Sequence, residues 1–160
     1  MKKLKLLLAP ALLLAGNIAQ AHSPGEHAKV YFKNLQDRQT VTAPYKVQFG
    51  IEGYGIVPAG TRDKRRHTAG HHHLLVDHPG NLDMEEPLDH SKNCMHFDQG
   101  ETEAVLDLPP GKHTLQLLLG DEDHEPTDPP LMSKKITITV QADQLRIRMT
   151  IDVPPARNNG

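Results

Sequence analysis

With 160 residues, 24% of them charged, and a formal net charge of -2, the chain lacks the basic excess expected of a nucleic-acid-binding protein. It has no Trp and only three Phe and three Tyr, which argues against a stacked-aromatic platform for polysaccharide, and its single cysteine rules out an intramolecular disulfide. What it carries in quantity is histidine, eleven residues in all.

In chain order, the N-terminus reads as a secretory signal peptide over residues 1–21. Lys2, Lys3 and Lys5 form its charged region, residues 6–15 its apolar stretch and Ala19-Gln20-Ala21 its cleavage site. The apolar run is too short to span a membrane, so a periplasmic or secreted protein beginning at His22 is expected. Losing three lysines and no acid takes its formal charge from -2 to -5. About 139 residues then remain, enough for one domain with one core. That domain is expected over residues 22–153, followed by a frayed tail at 154–160.

Residues 28–33 and 39–43 read as short strands, and 45–51 alternates with Tyr45, Val47, Phe49 and Ile51 on one face. Residues 53–70, with Gly, Pro and the basic run Arg62, Lys64, Arg65 and Arg66, read as an exposed loop. Then comes Gly70-His71-His72-His73-Leu74-Leu75-Val76-Asp77-His78. In an extended chain successive side chains point to opposite faces. His71, His73, Leu75 and Asp77 therefore share one face, and His72, Leu74, Val76 and His78 the other.

An acidic, proline-containing excursion at 82–93 leads to Cys94-Met95-His96-Phe97 and a strand at 102–108. The Pro109-Pro110-Gly111 turn and the strongly apolar strand 112–119 read as the second half of a hairpin. An acidic loop at 120–130, expected to be solvated, precedes alternating strands at 134–140 and 145–153. No segment shows a helical period, and short strands separated by Gly and Pro predict an all-β fold, an immunoglobulin-like antiparallel β-sandwich. Its core is expected around Val47, Leu74, Leu106, Leu117 and Ile138.

Neutral imidazole is the commonest metal-binding side chain, and the histidines fall where a metal site is plausible. The triplet His71, His72 and His73 opens an apolar strand, and His96 lies beside Met95 and Phe97. His113 shares a face with Leu115, Leu117 and Leu119, and must find a partner there: a backbone carbonyl or a metal ion. His124 follows in the next loop. Imidazole-rich ligation suits copper and zinc rather than calcium or magnesium. Cys94 and Met95 are available as soft ligands, although packing is the commoner role of both residue types.

The ordered segments GHHHLLVD (70–77), HFDQGETE (96–103), LPPGKHTLQLLLGDEDH (108–124) and KKITITV (134–140) resemble a family of small exported bacterial domains of unknown function. The resemblance picks out Gly70, His71, His72, His73, His96, Gly100, Thr102, Gly111, His113, Asp121 and His124. It implies no established activity. Members of that family often show HFGKGQTE where this chain has HFDQGETE, so Asp98 and Gln99 depart from the pattern. The expected mature terminus, His22, is also similar to that of periplasmic copper-resistance proteins, immunoglobulin-like sandwiches whose first residue, a histidine, chelates Cu(II) through its α-amino group and ring.

These readings converge on an exported metal-binding protein that buffers, carries or delivers copper or zinc. Its candidate ligands are His71, His72, His73, His96, His113 and His124, with His22 as a separate possibility. Two alternatives stand beside it. One is an interaction module for an envelope partner, with the histidines as a structural hydrogen-bond network. The other is a copper-dependent redox enzyme, because His71-x-His73 on a sandwich strand is similar to the alternating ligands of copper-zinc superoxide dismutases, although their cysteine pair is missing. Ser23, Ser91 and Ser133 lie in no nucleophile motif.

Overall fold

Alternating apolar residues mark strands such as Tyr45–Glu52 and Ile136–Gln141 in the computed structural model, which describes residues 27–61 and 69–143. The signal peptide, His22, the basic run, the strand expected at 145–153 and the tail lie outside the described residues. Within them the strands are β1 (Lys29–Phe32), β2 (Thr40–Thr42), β3 (Tyr45–Glu52), β4 (Gly55–Ile56), β5 (Ala69–Val76), β6 (Cys94–His96), β7 (Glu103–Leu106), β8 (Gly111–Gly120) and β9 (Ile136–Gln141). No described segment is helical, and no helix long and apolar enough to cross a membrane is found among these residues.

The strands form a sandwich-like all-β domain. One sheet has the order β1-β3-β7; the other has the order β2-β9-β8-β5-β4, with β6 also paired to β5. Pairing is antiparallel except at two places, β2 on β9 and β4 on β5, which run parallel. Between the sheets, Val47 and Phe49 of β3 and Leu106 of β7 meet Leu74 and Val76 of β5, Leu115, Leu117 and Leu119 of β8, and Ile138 of β9. Val47, Leu74, Leu106, Leu117 and Ile138, the residues expected to mark the core, are all buried in it. Each such side chain contributes on the order of 1.5–3 kcal/mol by leaving water.

The turn at Pro109-Pro110-Gly111 does not close a hairpin. β7 pairs with β3 in the smaller sheet, whereas β8 pairs with β5 and β9 in the larger one. Two consecutive prolines remove two ladder donors and cannot prolong a strand pair, so the turn carries the chain from one layer to the other.

The feature that positions the site is β5. It lies between β8 on one side and β4 and β6 on the other, and from Gly70 to Val76 every residue is buried. Its inner face, with His72, Leu74 and Val76, packs into the sandwich. On its outer face Leu75 joins Leu88, Cys94 and Leu118 in a second, smaller apolar cluster, with Leu82 and Met132 against it. The acidic, proline-containing excursion at 82–93 thus supplies Leu82 and Leu88 to cover the sheet's outer side. A backbone hydrogen bond from Leu88 N to His124 O, 3.0 Å long, ties that cover to the loop following β8.

Candidate metal centre

The period-2 geometry of β5 sends His71 and His73 to the outer face, one step beyond the apolar cluster. β6 runs antiparallel beside it with His96 directly opposite His73, and directly opposed residues share a face. On the other flank β8 places Gly120 opposite His71. A Cβ added at Gly120 would lie 2.5 Å from His73 Cε1 and 3.1 Å from His73 Nδ1, so the missing side chain is what gives the imidazole its space. Gly70 is constrained in the same way from beneath, because its added Cβ would collide with the Gly120 carbonyl oxygen.

The fourth imidazole comes from the loop after β8. Asp121, buried and anchored, accepts hydrogen bonds on Oδ1 from the amides of Asp123 (2.9 Å) and Glu125 (3.0 Å). This tight turn holds His124 at a φ of 69° and directs it back over β5. The expectation that the whole acidic loop is solvated is therefore corrected at Asp121. One nitrogen from each of His71, His73, His96 and His124 lies within 4.8 Å of the others. The rings of His71 and His73 are tilted at 45° with centroids 4.5 Å apart, and those of His73 and His96 stand edge to face with centroids 4.3 Å apart.

Both nitrogens of His71, both of His73 and Nδ1 of His96 are buried without a hydrogen-bond partner. Each such atom costs on the order of 1–3 kcal/mol. Protonation is no remedy. Burial, then the neighbouring His124, pushes His71 down to about 4, and burial, then His71, His96, His124 and His90, pushes His73 down to about 2. His96 is lowered as well, chiefly by burial, against the opposing effect of the Asp89 carbonyl. At neutral pH these rings are uncharged and present lone pairs to one small space, a set of donors for a cation. His96 is also oriented for that task. Its Nε2–H donates to the Asp89 carbonyl at 3.2 Å, which leaves Nδ1 as the free lone pair; a metal-bound histidine usually has its other ring nitrogen fixed by such a hydrogen bond.

Two residues not singled out as ligands from the sequence complete the surroundings. Beyond β6 the alternation continues, with Phe97 in the core and Asp98 on the outer side. Asp98 Oδ1 lies 3.3 Å from His124 Nε2 and 3.8 Å from both His71 Nε2 and His96 Nδ1. His90, from the covering excursion, stacks on His96 with centroids 3.6 Å apart. One ligand atom from each of His90, His96, Asp98 and His124 again falls within 4.8 Å of the others. The readable signal for His90 was its place six residues before His96 across a turn.

The structure does not bring His72 or His113 to this centre. His72 faces the core, with its ring centroid 5.2 Å from that of Phe49 and Nδ1–H donating to the Glu101 carbonyl at 3.2 Å. His113 is inward-facing as expected but found the non-metal partner. Nδ1–H donates to Asp77 Oδ2 at 2.7 Å and Nε2–H to the Pro109 carbonyl at 2.8 Å. With both nitrogens acting as donors the ring is an imidazolium and has no lone pair to give. Cys94 sits in the smaller apolar cluster, where burial, then Asp89, pushes its thiol up to about 11. Met95 packs against the main core. Neither is placed as a soft ligand.

Residues 47–141 match the family described as Domain of unknown function (DUF4399). The chain belongs to that family. The DUF4399 region runs from β3 to β9 and includes every residue of both ligand sets, whereas β1 and β2 precede it. Neither a curated protein nor a solved structure matches the chain.

Proposed function

We propose that this protein is an exported binder of a borderline metal ion, Cu(II) or Zn(II), that buffers or carries the ion rather than transforming a substrate. The observation that carries the reading is the set of five buried, unpaired imidazole nitrogens on His71, His73 and His96, with His124 converging on them. A structural histidine network makes hydrogen bonds, as His113 does, and leaves few nitrogens unsatisfied. Here one nitrogen of each ring converges on those of the others instead, and only a cation satisfies several lone pairs at once.

The donor type supports the choice of ion. Neutral imidazoles suit copper and zinc, while calcium and magnesium need a shell of oxygens that one carboxylate, Asp98, cannot provide. A thiolate-based Cu(I) site is disfavoured because Cys94 is buried among aliphatic side chains. Four protein nitrogens around one ion also leave little room for substrate, whereas catalytic zinc sites keep an open position. That favours carriage over catalysis. The reading further supposes that the leader at residues 1–21 delivers the chain outside the cytoplasm.

The test is titration of metal-free protein with Zn(II) and with Cu(II) against a competing chelator, followed by metal analysis of the dialysed product. One equivalent retained at micromolar concentration, and lost in His71→Ala and His73→Ala, is the expected result. Failure of the wild-type chain to retain either ion rejects the proposal.

A further inference from the structure

The two ligand sets overlap, and the overlap suggests how an ion enters. The inner set is His71, His73, His96 and His124; the outer set is His90, His96, Asp98 and His124. They have His96 and His124 in common. His96 offers one nitrogen only, because Nε2–H is engaged by the Asp89 carbonyl. His96 Nδ1 therefore cannot serve two ions at full strength. The sets are alternative positions for one ion.

Their exposure is graded in a single direction. His90 is exposed and Asp98 is 39% exposed, followed by His124 at 25%, His96 at 2%, and His71 and His73, which are fully buried. The two residues unique to the outer set are thus the accessible ones, the two unique to the inner set are the inaccessible ones, and the shared pair lies between. An ion coming from solvent has no direct line to His71 or His73.

Building on the metal reading above, we infer that His90 and Asp98 form an entry station from which a single ion passes inward by ligand exchange, trading His90 and Asp98 for His71 and His73 while His96 and His124 hold it throughout. The exchange keeps the ion coordinated at every stage, so it is never released bare into a buried space. It also changes the donor set from three nitrogens and one oxygen to four nitrogens. The same path run outward presents the ion, on exposed groups, to a competing ligand.

The experiment is stopped-flow loading of the metal-free protein with Cu(II), with rapid freeze-quench electron paramagnetic resonance and an unloading run into excess chelator. The expected result has three parts. Wild-type protein shows an early signal with oxygen in the coordination sphere that decays into an all-nitrogen signal. His90→Ala and Asp98→Asn slow both loading and unloading by about tenfold or more. His73→Ala, which does not keep the ion through dialysis, shows only the early signal while Cu(II) is present in excess. Two outcomes overturn the inference while leaving the metal reading intact: an all-nitrogen signal from the first time point with loading rates unaffected by either outer variant, or two ions bound per chain with similar affinity. If wild-type protein gives no bound Cu(II) signal, the inference falls, and the metal reading stands only where the dialysed protein retains Zn(II).

Discussion

Replacing Gly120 by alanine tests whether the backbone of β8 was shaped around an imidazole. The added carbon would stand 2.5 Å from His73 Cε1, while carbon atoms in contact settle at roughly 3.5–4.0 Å. The ring must therefore retreat by about 1 Å, several times the tolerance of roughly 0.2 Å on a metal–ligand distance. Two free-energy effects oppose each other in the metal-free protein. Overpacking a filled site costs about 1–3 kcal/mol, while alanine in place of glycine gains about 0.4–1 kcal/mol by restricting the unfolded chain. A net loss on the order of 1–2 kcal/mol is expected, together with a loss in metal affinity of about 10- to 100-fold. Urea denaturation of metal-free protein measures the first, and chelator competition the second. The decisive control is the His73→Ala background, where the ring that collides is gone, so Gly120→Ala should cost nothing or stabilise slightly. A single variant as stable as wild type with full affinity, or an equal cost in both backgrounds, refutes the reasoning.

His72→Phe keeps the packing against Phe49, removes a buried unpaired nitrogen and gives up one hydrogen bond to Glu101. It should change stability by less than about 1.5 kcal/mol and leave metal affinity as it was, by the same two assays. The metal-free protein should lose stability as pH falls below about 6.5, because the folded pKa values of His71, His72 and His73 are depressed. Their full contribution is present above the unfolded value and is lost as pH drops toward the folded one. The slope is up to about 1.4 kcal/mol per pH unit for each ring, read from urea midpoints between neutral and acid pH. His113 and Asp77 behave oppositely on the alkaline side. Burial of His113 is outweighed by its hydrogen bonds to Asp77 and Pro109, which raise its pKa, and burial of Asp77 is outweighed by donation from His113 and Thr114, which lowers its own. The pair's contribution is complete only between roughly pH 4 and 6.5 and fades as pH rises through the His113 value. Asp77→Asn should cost about 1 kcal/mol within that window, since Asp77 is 43% exposed and screened by solvent, and much less at pH 9. Chemical denaturation at both pH values decides it.

Much of this architecture could be read from local pattern. The alternation in residues 70–77 placed His71 with His73 and His72 with Leu74, and the structure keeps that division. The same rule sent His113 inward. What local pattern does not contain is partnership across distance. His113 is satisfied by Asp77, 36 residues away, and only the register of β5 against β8 brings them together. His90 was hidden in a segment without periodicity, because an irregular excursion takes its shape from what it covers, here Leu75, Cys94 and Leu118. Asp98 was noticed only as a departure from a related pattern; its place beside three imidazoles follows from alternation running on past the end of β6. The misread turn at Pro109 has the same origin, since a Pro-Gly corner specifies a change of direction and not which sheet receives the next strand.

The burial of β5 on both faces also has a temporal side. Amide hydrogens in a strand hydrogen-bonded along both edges and covered above and below exchange with solvent only when the whole domain opens, whereas loops exchange through small local fluctuations. His71 and His73 are carried by the slowest-exchanging part of this domain, and His90 and His124 by segments outside the strands. The fold thus separates two clocks around one cluster of side chains: a strand-borne pair whose backbone opens only with the whole domain, and a loop-borne pair whose backbone opens by local fluctuation.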